Sequence, residues 1–83
     1  MSHEGMYPAY VRVEYYPEHD QAYISLREIE AGGVAETVPG WPGTTAFGIN
    51  LDFDHEGRLV GIDVDGGASR RLPPEVLTAA KHP

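Results

Sequence analysis

Eighty-three residues make one domain and not two. A chain this short buries only about 60% of the surface its unfolded form exposes, and the absence of cysteine removes disulfides, thiol nucleophiles and Cys-based zinc sites together. A net charge of −7, from 13 acidic and 6 basic residues, repels phosphate backbones, so nucleic acid is not an expected partner; a basic protein or cations suit it better.

The segment Met1-Ser2-His3-Glu4-Gly5 has neither the positive nor the apolar region of a signal peptide. No apolar run approaches about 18 residues, so no membrane partner is expected. A cysteine-free chain fits the cytoplasm, which is the expected location. Residues 1–8 lack periodicity and read as a disordered tail. Residues 9–83 read as a single domain.

Strand-like alternation begins at Tyr10. Val11, Val13 and Tyr15 fall on one face and Arg12, Glu14 and Tyr16 on the other. Ala22, Ile24 and Leu26 then alternate with Tyr23, Ser25 and Arg27. Pairing Tyr15 with Ala22, Val13 with Ile24 and Val11 with Leu26 puts six apolar groups on one side. It leaves Pro17-Glu18-His19-Asp20 as a hairpin loop, with proline where φ is preset.

Residues 28–35 read as a turn through Ala31-Gly32-Gly33, and Glu36-Thr37-Val38 as a short strand. Pro39-Gly40-Trp41-Pro42-Gly43-Thr44 reads as loop. The strongest alternation follows: Phe47, Ile49, Leu51 and Phe53, then Val60, Ile62 and Val64, joined by Asp54-His55-Glu56-Gly57. Pairing Phe53 with Arg58 predicts Leu51 opposite Val60, Ile49 opposite Ile62 and Phe47 opposite Val64, with Gly57 in a left-handed conformation. Leu72 to Lys81 reads as one helix, with prolines and Glu75 at its start and Lys81 at its end. A helix of about nine residues is unstable alone and must dock on the apolar face. The expected fold class is α+β: a small antiparallel sheet of hairpins, four to five strands, with one C-terminal helix packed on one face.

Tyr15-x-Pro17-Glu18-x-Asp20-x-Ala22-Tyr23-Ile24-x-Leu26, then Asp52-x-Asp54-x-x-Gly57-x-Leu59-Val60-Gly61-Ile62-Asp63, then Ala68-Ser69 and Leu72-Pro73 together resemble a family of small, mostly bacterial domains of unknown function, number twenty-two eighty-three. The resemblance spans about residues 11–80 and implies a small antiparallel sheet with a C-terminal helix. It supplies no activity, no cofactor and no catalytic residues. Some members are suspected partners of small toxin-like proteins. The Pro/Gly stretch around Trp41 is longer than the family pattern.

Asp52-x-Asp54-x-Glu56-Gly57, with Asp63 six residues further on, approximates the ligand spacing of a calcium EF-hand loop. Its flanks alternate with period two where an EF-hand needs helices, and the predicted register sets Asp63 opposite Gly48, out of reach of Asp52. The turn reading is preferred. Weak metal candidates remain in Asp52, Asp54 and Glu56, joined by His19 and His55 if the two hairpin loops share an end of the sheet. An enzyme could use Glu14 and Asp52 on the outward face as an acid/base pair, but the sequence supplies no cleft or nucleophile, so no catalytic residue is assigned. Tyr10, Tyr16, Tyr23 and Leu59 are too many large groups for a face meant only for water, and mark an interface. Trp41 is a lid over the core edge or a binding anchor. The expected function is a non-catalytic interaction module, pairing with itself, as a homodimer, or with a basic protein. The alternative is a metal- or ligand-binding protein using the acidic turns.

Overall fold

The first hairpin follows from alternation and turn chemistry. In the computed structural model, which describes residues 10–41 and 48–82, β1 (Arg12–Tyr16) and β2 (Gln21–Ser25) pair antiparallel. Tyr15 stands opposite Ala22 and Val13 opposite Ile24, the register expected from the sequence. Pro17–His19 forms one 3-10 turn, closed by Asp20 at φ 48. Aspartate is one of the few residues that tolerates this left-handed region.

Asp20 also fastens the hairpin to the C-terminal part of the chain. Its Oδ1 accepts from the Ser69 N–H at 2.8 Å and the Tyr15 hydroxyl at 2.9 Å, and its Oδ2 accepts from the Ser69 hydroxyl at 2.8 Å. Its main-chain oxygen accepts from the Ala68 N–H at 2.9 Å. A carboxylate from the first hairpin thus caps the first turn of α1 (Ala68–Arg71), where unpaired N–H groups favour negative charge. The Ser69 hydroxyl and N–H, and then the Tyr15 hydroxyl, hold this carboxyl below its ordinary range.

A depressed folded-state pKa adds stability that is present above the unfolded value of about 3.9 and lost as pH falls through the lower folded value. Asp20→Asn is therefore expected to flatten the acid limb of the stability curve. Urea midpoints measured from about pH 6 down to about pH 2 check this; an unchanged acid limb contradicts it.

The remaining strands are β3 (Glu36–Trp41), β4 (Ile49–Phe53) and β5 (Leu59–Val64). All pairings are antiparallel and the sheet order is β1-β2-β5-β4-β3. Two short helices follow, α1 and α2 (Pro74–Ala79). The α+β class and the open antiparallel sheet agree with the sequence reading, while three details differ.

The β4–β5 register is shifted. Leu51 stands opposite Ile62 and Ile49 opposite Val64, whereas Phe53 stands opposite Leu59. The shift leaves Val60 as an extra residue, a β-bulge, which uninterrupted alternation through β5 does not reveal. Gly57 has φ 80 as expected. The Phe47 pairing lies outside the described residues, as do the 1–8 tail and residues 42–44 of the expected loop.

Pro39-Gly40-Trp41 belongs to β3 and not to a loop. β3 is an edge strand, where a missing N–H costs little, and the register slips between Pro39 and Trp41. The expected helix from Leu72 to Lys81 is shortened to Pro74–Ala79, and a separate helix, Ala68–Arg71, precedes it; Leu72 between them is extended at φ −107 and ψ 149, the conformation a following proline imposes. Lys81 does not end a helix; it bridges to Glu14 of β1.

The core sits between the sheet and α1. Ala22, Val64 and Ala68 are fully buried, with Tyr15, Ile49, Ile62 and Leu72 packed around them. Two apolar rows cross the sheet: Tyr15-Ala22-Val64-Ile49-Trp41 and Val13-Ile24-Ile62-Leu51-Val38. Directly opposed residues share a face, so the apolar rows lie on one side, with α1 packed on them through Ala68, and the polar rows on the other; α2 packs against the edge strand β1.

Candidate interaction face

The second face is built from two cross-strand rows. One reads Glu14-Tyr23-Asp63-Asn50-Pro39 and the other Arg12-Ser25-Gly61-Asp52-Thr37. Gly61 is the pivot. Its missing side chain lets the Tyr23 phenol lie across the backbone and donate to Asp52 Oδ2 at 2.6 Å. The Thr37 hydroxyl donates to Asp52 Oδ1, also at 2.6 Å. With both oxygens engaged, Asp52 is only 8% exposed, as a buried carboxylate requires. Asp63 is held likewise, by Gln21 Nε2 at 3.0 Å and Asn50 Nδ2 at 3.3 Å.

The tyrosines are therefore hydrogen-bonded to carboxylates. Burial, and then Asp52, pushes the Tyr23 phenol well above its ordinary pKa. Tyr16 donates to Glu14 at 3.1 Å and is raised by burial and then by Glu14. Glu14 also pairs with Arg12 at 2.9 Å. Tyr10, 44% exposed, completes the group beside Arg12. Tyr10, Arg12, Glu14, Tyr23 and Ser25 line a shallow depression of about 460 Å³. Such a face offers aromatic area and fixed hydrogen-bonding groups.

The other candidates are placed elsewhere. Leu59 stands opposite Phe53, so the bulge at Val60 takes it out of the tyrosine rows into the apolar set. Trp41 ends an apolar row; it is 60% exposed, with the Arg71 guanidinium 5.0 Å from its ring centroid, a cation–π contact.

The sheet order separates the two hairpin loops. Ala22 at the start of β2 lies beside Val64 at the end of β5, so the turn carrying His19 and the turn carrying His55 are at opposite ends of the sheet. Asp54 Oδ1 accepts the N–H groups of Glu56 and Arg58 at 2.9 Å each, and those bonds, Arg58 first, lower its pKa. Glu56 pairs with Arg58 at 2.8 Å, and His55 Nε2 contacts the Gly32 carbonyl at 3.0 Å. Asp63 lies opposite Asn50 and not Gly48; it is committed to amides, as Asp52 is to hydroxyls. Among the described residues no three His, Asp or Glu side chains converge as metal ligands. Beside this turn is a cavity of about 260 Å³ lined by Glu28, Glu30, Asp54, Glu56, Arg27 and His55, with Val60 at its wall.

Reasoning from sequence missed Thr37, Gln21 and Asn50 as the groups that hold the two aspartates. One signal was present. A glycine inside a strand pattern marks a close approach by another group, and Gly61 is that glycine.

The five-stranded antiparallel sheet with two short C-terminal helices defines a small α+β domain. Residues 12–66 match the family described as protein of unknown function (DUF2283), and the chain belongs to that family. No curated protein and no solved structure matches. No helix among the described residues is long and apolar enough to cross a membrane.

Proposed function

We propose that the domain is a non-catalytic protein-interaction module, and that the face carrying Tyr10, Tyr16 and Tyr23 docks a partner protein of net positive charge. One observation carries the reading. Among the described residues α1 packs on the apolar rows and α2 against the edge strand β1, which leaves an open sheet face of tyrosines and carboxylates, bordered by Glu28 and Ile29, on a chain of net charge −7. Aromatic groups with fixed polar partners are typical anchors of interfaces. A small basic toxin-like protein is one partner that fits, and a cytoplasmic setting agrees with the lack of cysteine. A second copy docking through the same face is the other occupant to be tested.

The test is calorimetric titration of the basic product of an adjacent reading frame at low and high salt. Binding is expected to weaken roughly tenfold or more at high salt and several-fold with Tyr10→Ser, chosen because Tyr10 supports no core contact. Binding insensitive to both, or no binding, sinks the reading; light scattering on the chain alone tests self-association through this face.

A further inference from the structure

The sheet has two edges, β1 and β3, and they are protected differently. β3 carries Pro39, which lacks an N–H, and its register slips between Pro39 and Trp41; both features blunt an edge against strand addition. β1 is regular over Arg12–Tyr16, and its protection is borrowed from the C-terminal segment. Lys81 N–H donates to the Val13 carbonyl at 2.9 Å, and Tyr15 N–H donates to the Lys81 carbonyl at 2.7 Å. The His82 ring meets Tyr15 edge-on at 5.6 Å. The preceding helix α2 has no fully buried residue and no side-chain cap. The guard is thus a few residues holding two main-chain bonds.

We propose that residues 80–82 are a displaceable guard, and that when they lift, β1 pairs antiparallel with β1 of a second copy, centred on Val13. The charge pattern selects both occupant and register. Val13 and Tyr15 are the residues whose main-chain groups turn toward the edge, so odd residues of one copy must pair with odd residues of the other. Centring on Arg12 or on Glu14 sets like charges opposite each other. Centring on Val11 or Tyr15 makes no charge pair within β1, since Glu18, the position that the Tyr15 register sets against Arg12, lies in the 3-10 turn. Centring on Val13 sets Arg12 opposite Glu14 of the second copy twice over, and continues the apolar row by placing Val11 against Tyr15. The intramolecular Arg12–Glu14 pair at 2.9 Å shows that these two side chains already share the outward face.

Lys81→Pro in the full chain tests this. It removes one N–H, and Ala80 is already extended at ψ 153, as a residue before proline must be. The dimer fraction, read by light scattering as movement from 9.1 kDa toward twice that mass, is expected to rise above wild type. Arg12→Glu in that background should return it to monomer, and Arg12→Glu with Glu14→Arg should restore the dimer. A folded Lys81→Pro chain that stays monomeric, or a dimer indifferent to the charge reversals, overturns the proposal. Wild-type hydrogen exchange gives a second reading that needs no variant. The Tyr15 amide should exchange at least about tenfold faster than the Leu26 amide, which follows β2 and is bonded to Val60 of the central strand β5; equal rates also overturn it. Because Arg12 and Glu14 also border the tyrosine face, Tyr10→Ser is added to the Lys81→Pro chain: a dimer that persists is held by the β1 edge, and a dimer that Tyr10→Ser removes overturns the proposal.

Discussion

Gly61→Ala is expected to destabilise the domain by roughly 2–4 kcal/mol, the combined effect of overpacking and of orphaning a buried acceptor. A Cβ at position 61 would fall inside the Tyr23 phenol. The ring must move, and its hydroxyl then leaves Asp52 Oδ2. Asp52 retains only Thr37 while still covered by the sheet. For a domain of this size the melting temperature should drop by about 4–8 °C per kcal/mol. The mechanism is separable from a general intolerance of side chains in β5. In a Tyr23→Ala background the clash and the hydrogen bond are both already gone, so Gly61→Ala should cost little, and the double-mutant cycle should show coupling of about 1–3 kcal/mol. Additive losses would mean that Tyr23 is not what requires glycine at 61.

The same lock predicts behaviour at high pH. The phenols of Tyr23, Tyr16 and Tyr15 are all raised, Tyr23 and Tyr16 chiefly by burial and Tyr15 chiefly by its bond to Asp20. A raised folded-state pKa contributes stability that is fully present below the unfolded value of about 10 and is lost as pH rises from there toward the folded value. Tyr23→Phe should therefore lower stability at neutral pH, because Asp52 loses a donor, and reduce the further loss on the alkaline side. Urea titrations at about pH 7 and pH 11 separate the two effects.

Val64→Asp should abolish the fold. Val64 is 1% exposed and lies among Ala22, Ala68 and Ile49, none of which can pair with a carboxylate. An uncompensated buried charge costs several kcal/mol, against a total stability on the order of 4–12 kcal/mol for a chain of this length. Val64→Ala should cost roughly 1–3 kcal/mol, since it removes two buried methyl groups with partial relaxation. Val11→Ala, at a position 59% exposed, should stay within about 0.5 kcal/mol. The contrast is large because the core is small: four apolar side chains among the described residues are buried, so there is little to absorb the loss. Circular dichroism melts of the three variants check the order; a folded Val64→Asp chain would mean the apolar rows do not meet the helices at Val64.

Local chemistry was legible in the amino-acid string. Period-two alternation assigned Val13, Tyr15, Ala22 and Ile24 to one face. Pro17 and Asp20 bounded a loop whose length set the first register, and Gly57 marked the second turn. Those features depend on neighbours within a few residues, and the chain carries them without help. The outward placement of Tyr10, Tyr16 and Tyr23 follows from the same alternation.

Features that depend on distant partners were decided by the tertiary structure. The bulge at Val60 is silent in an unbroken alternating run, and it moved Leu59 to the other face. Pro39-Gly40-Trp41 is a strand only because β4 pairs with it and leaves it at an edge. Lys81 joins β1 because α2 ends at Ala79 and Ala80 is extended at ψ 153, which brings the next residue to the strand edge. Placing β5 beside β2 put His19 and His55 at opposite ends and brought Tyr23 over Gly61 to Asp52. The pairing of strands far apart in sequence determined which polar groups of this protein share a site, because alternation specifies the face on which a residue lies but not its neighbour across the sheet.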